Sequence, residues 1–64
     1  MNTRYEIYVE RSEQPLAAEE ELSKAMALAA AATVSFGMVK IFSEKSHRVI
    51  ATYTTNSKGE PVLI

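Results

Sequence analysis

The chain has 64 residues, 47% of them hydrophobic, with seven Lys and Arg against eight Glu and a net charge of −1. It contains no Cys, no Trp and a single His, which excludes disulfides, thiolate metal sites and a Cys nucleophile. That length makes one domain, residues 1–64, and a domain so small buries only about 60% of the surface its unfolded chain exposes. With no disulfide and no zinc ligand set, its remaining sources of stability are an economical core or a partner subunit.

Tyr5, Ile7 and Val9 alternate with Arg4, Glu6, Tyr8 and Glu10. This period of two, in β-branched and aromatic residues, predicts a first strand over 5–9. The polar run Arg11-Ser12-Glu13-Gln14-Pro15 follows, and Pro suits the first turn of a helix. Residues 16–32 are rich in Ala, the best helix former, and predict one helix. Glu19, Glu20 and Glu21 would lie near its positive end, and Glu20 and Lys24 would form an i,i+4 pair. Ala18, Leu22, Ala25, Met26 and Ala29 would share the face laid on the sheet, with Leu28 off that stripe. The helix should stop near Thr33 or Val34, with Gly37 as a break.

Residues 38–43 predict a second strand, Ser43 to Ser46 a turn, and 47–55 a third strand. Asn56-Ser57-Lys58-Gly59 is a further turn, since Asn and Gly accept left-handed dihedrals. Residues 60–64 form an optional last strand, with Pro61 restricted to an edge or a strand start. The fold class expected is α+β: a β-α-β-β(-β) order with three or four mainly antiparallel strands and one helix covering one face. The simplest layout sets the third strand between the first two, which a right-handed crossover would connect.

A single helix covers only one face of such a sheet. Tyr5, Ile7, Val9, Val39, Ile41, Val49, Ala51 and Tyr53 would face the helix. Arg4, Glu6, Tyr8, Glu10, Met38, Lys40, Phe42, Arg48, Ile50, Thr52 and Thr54 would face away. An apolar patch rimmed by charge marks a contact surface, and Tyr8, Met38, Lys40, Phe42, Arg48 and Ile50 are its candidate partner-binding residues. Three occupants are consistent with it: a second copy in a homodimer, another protein, or single-stranded nucleic acid stacked on Tyr8 and Phe42 beside Lys40 and Arg48. Glu6 and Glu10 flanking Tyr8 and the negative net charge weigh against nucleic acid. A slip of one residue in any strand would exchange the two faces.

Charge is divided along the chain. Residues 1–32 hold Glu6, Glu10, Glu13, Glu19, Glu20 and Glu21 against Arg4, Arg11 and Lys24. Residues 33–64 hold Glu44 and Glu60 against Lys40, Lys45, Arg48 and Lys58. Most of these charges solvate the helix and turns; read as a surface, they offer an acidic helix start and a basic hairpin. Catalytic chemistry is sparse. His47 with Ser43 or Ser46 is a weak pair without an orienting carboxylate close in the fold, adjacent helical glutamates point about 100° apart, and the only glycines, Gly37 and Gly59, make no phosphate loop. No enzyme activity, cofactor or metal is expected. The N-terminus has no apolar signal region, and Ala25 to Val34 is far shorter than the roughly 20 apolar residues of a membrane span, so the expectation is a cytoplasmic protein without membrane contact.

The short strand Tyr5 to Val9, the Ala-rich helix, the entry Gly37-Met38-Val39-Lys40-Ile41, the strand Ile50-Ala51-Thr52-Tyr53 and the turn Asn56 to Gly59 together resemble small phage-encoded accessory proteins, including some anti-CRISPR proteins. The resemblance spans the whole chain but rests on size and element order, without a defining motif, and carries over no functional residue. It implies an inhibitor-like module that binds a host protein or complex, often by occupying its nucleic-acid site.

Overall fold

The computed structural model describes residues 3–64; the first two residues of the polar N-terminus lie outside the described residues. Its elements are β1 (Tyr5–Val9), β2 (Ala17–Glu19), α1 (Leu22–Phe36), β3 (Val39–Ser43), β4 (Arg48–Thr55) and β5 (Pro61–Leu63). The five strands form one sheet in the order β2-β1-β3-β4-β5, every neighbouring pair antiparallel, with α1 packed on one face. The fold is therefore α+β, as the sequence predicts, and residues 61–63 do pair in the sheet.

The strand order differs from the expected layout. The strand over 39–43 is central and lies directly against β1, with Tyr5 opposite Ser43 and Val9 opposite Val39. No crossover joins these two antiparallel strands. The cause is β2. Ala17 to Glu19, expected in the helix, are extended and pair with Ile7 to Tyr5, and Leu16 N–H donates to the Ile7 carbonyl at 2.7 Å. β2 and β3 are both antiparallel to β1, hence parallel to each other, and α1 crosses from one to the other with β1 between them. Helix propensity is a weak prior, and at Ala17 and Ala18 the edge pairing prevails over it.

The helix consequently starts later than its composition suggests. Glu21 is the N-cap residue in extended conformation, its carbonyl accepts the first helical bond from Ala25 N–H at 3.0 Å, and its carboxylate meets Lys24 Nζ at 2.9 Å. The helix also ends later, at Phe36 rather than near Thr33 or Val34. Thr33 is fully buried, and its hydroxyl donates to the Ala29 carbonyl at 2.7 Å, so tertiary packing retains a residue that propensity disfavours. Gly37 closes α1 at φ 87°, ψ −138°, a conformation essentially restricted to glycine, and its N–H donates to the Thr33 carbonyl.

The core is thin. Ala25, Ala29, Ala32 and Thr33 of α1 lie against Ile7, Val39, Ile41 and Tyr53 of the sheet, with Tyr5, Ala17, Met26, Leu28, Ala30 and Ala51 partly buried around them. The helix stripe thus follows the expected Ala25 and Ala29 but not its first turn. Leu22 is 40% exposed and Ala18 belongs to β2. Ile41→Ala is expected to cost about 2–5 kcal/mol, while Leu22→Ala costs about 1 kcal/mol or less. Urea melts of the two variants check this, and equal losses would misplace the core. Gly37→Ala meets no neighbouring atom but should lose about 1–3 kcal/mol to its backbone dihedrals alone.

Candidate interaction face

The face away from α1 is built by the alternation of β1, β3 and β4. Glu6 lies opposite Phe42, Tyr8 opposite Lys40, and Lys40 opposite Thr52. Tyr8 and Phe42 are therefore diagonal neighbours, within reach of each other on one face, and their rings meet edge to face with centroids 6.5 Å apart. Met38, just before β3, is partly buried and accepts a hydrogen bond from Glu10 N–H at 3.1 Å.

A register shift at Ile41/Phe42 decides the rest. Ala51 faces Ile41, but Val49 and not Ile50 faces Phe42, so β4 carries one extra residue there. Such a bulge exchanges the faces of the residues beyond it. Val49, expected against the helix, stands with Phe42 on the open face and is 49% exposed. Arg48, expected on the open face, lies opposite Ser43, a buried residue that alternates with Phe42. Ile50 occupies the bulge and remains exposed. The structure thus brings together Tyr8, Lys40, Phe42 and Ile50 of the predicted set, adds Val49, and separates Arg48 from them.

His47 is the second addition. It lies in the turn between β3 and β4 at φ 55°, its N–H donating to the Ser43 carbonyl at 2.8 Å. This left-handed conformation, in which His, like Asn and Asp, is enriched among the non-glycine residues, accompanies a ring placed edge-on to Phe42 with centroids 6.4 Å apart. Tyr8, Phe42 and His47 therefore form a row of three rings. The sequence predicts a turn over Ser43 to Ser46 and sets His47 at the start of the following strand; the strand instead begins at Arg48, and His47 belongs to the turn.

Charge at one end of the row is internally matched. Arg4 Nε lies 3.9 Å from Glu6 and 3.7 Å from Glu44, in exposed and weakly stabilising pairs. The Tyr8 hydroxyl donates to Glu6 Oε1 at 3.3 Å. Desolvation raises the Tyr8 pKa first, the Glu6 charge and hydrogen bond add to this, and Arg4 opposes it; the phenol keeps its proton at neutral pH. Lys40 has no ion pair among the described residues. The result is an apolar and aromatic surface with one unmatched ammonium beside it.

Elsewhere, Arg4, Ala18, Glu19, Glu20 and Glu44 line an open groove of about 400 Å³ at the β1–β2 side. Among the described residues no group of three or more His, Asp or Glu has the spacing of a metal site, and no helix is long and apolar enough to cross a membrane.

Comparison with protein-family models, with curated proteins and with solved structures returns no match for this chain.

The left-handed turn position gives a direct check. His47→Asn tolerates that dihedral and should hold stability within about 0.5 kcal/mol, apart from the ring contact. His47→Val should lose about 1–2 kcal/mol, because a β-branched residue is strained there. Thermal melts of the two variants compare them, and equal stability would contradict the turn geometry.

Proposed function

We propose that this chain is a non-catalytic protein-interaction module that binds through the open face of its sheet, and that it acts as a phage or mobile-element protein modulating or inhibiting a host protein complex in the cytoplasm. The observation that carries the interaction reading is the face itself: the Tyr8–Phe42–His47 row with Val49 and Ile50, left without a covering layer in a chain of 64 residues. Exposed apolar clusters rimmed by charge mark contact surfaces, and aromatic side chains supply much of the energy in such contacts. The absence of Cys and the lone, half-turn-bound His47 support a binding rather than a chemical role. The inhibitor role rests on the resemblance in size and element order.

Affinity capture on the immobilised chain from a bacterial lysate tests this reading. A stoichiometric partner should be retained by the wild type and lost from a folded Phe42→Ala, Val49→Lys variant. A folded wild type that retains none, or a variant that retains it equally, overturns the assignment of the face.

The three-ring row beside the unmatched Lys40 favours one second reading, a small nucleic-acid-binding regulator that stacks bases on Tyr8 and Phe42. Fluorescence anisotropy with single-stranded and duplex oligonucleotides at low salt separates the two. Binding abolished by Lys40→Glu and by Phe42→Ala would favour nucleic acid, and no binding rejects it. A structural homodimer that closes this same face is the third reading, and it requires Val49→Lys to dissociate the dimer.

A further inference from the structure

Four side chains at the centre of the open face form a block. Glu6 lies opposite Phe42 and Tyr8 opposite Lys40 across the β1–β3 pair. Residues two apart in a strand share a face, so the two aromatic residues take one pair of diagonal corners and the two charged residues take the other. The aromatic corners meet, with ring centroids 6.5 Å apart. Val49 extends the block beyond Phe42 onto β4, and Thr52 extends it beyond Lys40.

The two charges are incompletely met within the chain. Lys40 is exposed and has no ion pair among the described residues. Glu6 accepts the Tyr8 hydroxyl on Oε1 at 3.3 Å, and its Oε2 lies 3.9 Å from Arg4 Nε, beyond hydrogen-bond distance. Arg4 stands closer to Glu44, at 3.7 Å. A carboxylate offers about four lone-pair sites, so Glu6 keeps capacity for a further donor.

The pattern is complementary to itself. Two sheets laid face to face by a twofold axis make an isologous contact, in which residue i meets j and j meets i. Four in-plane axes lay the block of one copy over that of the other. An axis along the strands sets Glu6 on Phe42 and Tyr8 on Lys40. An axis across the strands sets Glu6 on Tyr8 and Lys40 on Phe42. The Glu6–Lys40 diagonal sets each charge on its own like. Only the Tyr8–Phe42 diagonal sets Glu6 on Lys40 and Lys40 on Glu6, while each ring meets its own copy at the axis. From the spacings of strands and residues, the strands of the two copies then cross at about 70°, near the orthogonal class of sheet packing. Sheets packed face to face lie about 10 Å apart, a gap that a Glu and a Lys side chain span together.

We propose that a second copy of this chain covers the open face about the Tyr8–Phe42 diagonal, with Glu6 of each copy paired to Lys40 of the other. This rests on the reading of the face as an interaction surface and adds what covers it in the free protein, a copy that a host partner must displace. It also gives Phe42 and Val49 a second layer, which the single helix on the far side of the sheet cannot supply. A contact centred on so small a block falls short of the standard interface, so the dimer is weak and open to displacement.

Sedimentation equilibrium from micromolar to millimolar concentration, in about 0.15 M salt to screen net charge, tests the proposal. The wild type should form a concentration-dependent dimer. Lys40→Glu and Glu6→Lys each set like charges on both contacts and should be monomeric. An equimolar mixture of the two variants should dimerise again, because both contacts then join Glu to Lys, and so should one chain that carries both reversals. Lys58→Glu, in the turn before β5, should leave the dimer intact. Far-UV spectra establish that each variant is folded. If Glu6→Lys, which loses the Tyr8 hydrogen bond, fails to fold, Lys40→Glu against Lys58→Glu decides. A wild-type monomer at every concentration overturns the proposal, as does a dimer that Lys40→Glu leaves intact or a mixture of folded variants that stays monomeric. A wild-type dimer that captures no lysate partner overturns the host-complex reading and leaves the dimer standing, and a monomer that captures one does the reverse.

Discussion

The close contact between an alanine stripe and a three-residue aliphatic patch holds this molecule together. Ala25, Ala29 and Ala32 present almost no side chain, so the backbone of α1 settles directly onto Ile7, Val39 and Ile41. Large residues at those helix positions would lift the helix off the sheet and open voids on either side, and packed interiors tolerate little of that. The economy has a consequence. A core so shallow covers one face of the sheet, and what stabilises the chain elsewhere must come from the ladder hydrogen bonds and from whatever the uncovered surfaces meet.

Placing β3 at the centre follows from the same constraint. α1 touches all five strands, and a helix can do so only by crossing the sheet obliquely above its middle strand. β3 supplies two of the largest fully buried side chains, Val39 and Ile41. The small β2 strand makes this possible. By pairing on the outside of β1, it delivers the chain to the start of α1 at one edge, and the helix then returns it to β3 on the other side of β1. A helix that began at Leu16 would have had no such starting point.

The uncovered surfaces differ in chemistry. The open face combines a row of three rings, in which Phe42 meets both Tyr8 and His47, with two aliphatic side chains at a bulge and an unmatched ammonium. The β5 edge is apolar, and Pro61, which has no N–H to offer, turns outward along it and blunts pairing with a further strand. One lies on the plane of the sheet and the other at its rim.

Much of this was legible in the amino-acid order. Period-two alternation marked β1, β3 and β4, alanine content marked a helix, and the turn residues at 56–59 and Gly37 marked its breaks, because each of these signals is local to a few residues. The same alternation named Tyr8, Lys40 and Phe42 as neighbours on one face. Three features were decided only by tertiary structure. Ala17 to Glu19 have helical composition but are extended, because the free edge of β1 offers backbone partners that propensity cannot register. Val49 and Arg48 exchange faces, because a single extra residue at Ile50 is absorbed by a bulge that no period reveals. His47 joins the aromatic row, because a left-handed turn position aims its ring at Phe42. In each case the deciding partner is a strand or a turn contact supplied by another part of the chain, and the residue's own neighbours in sequence carry no record of it.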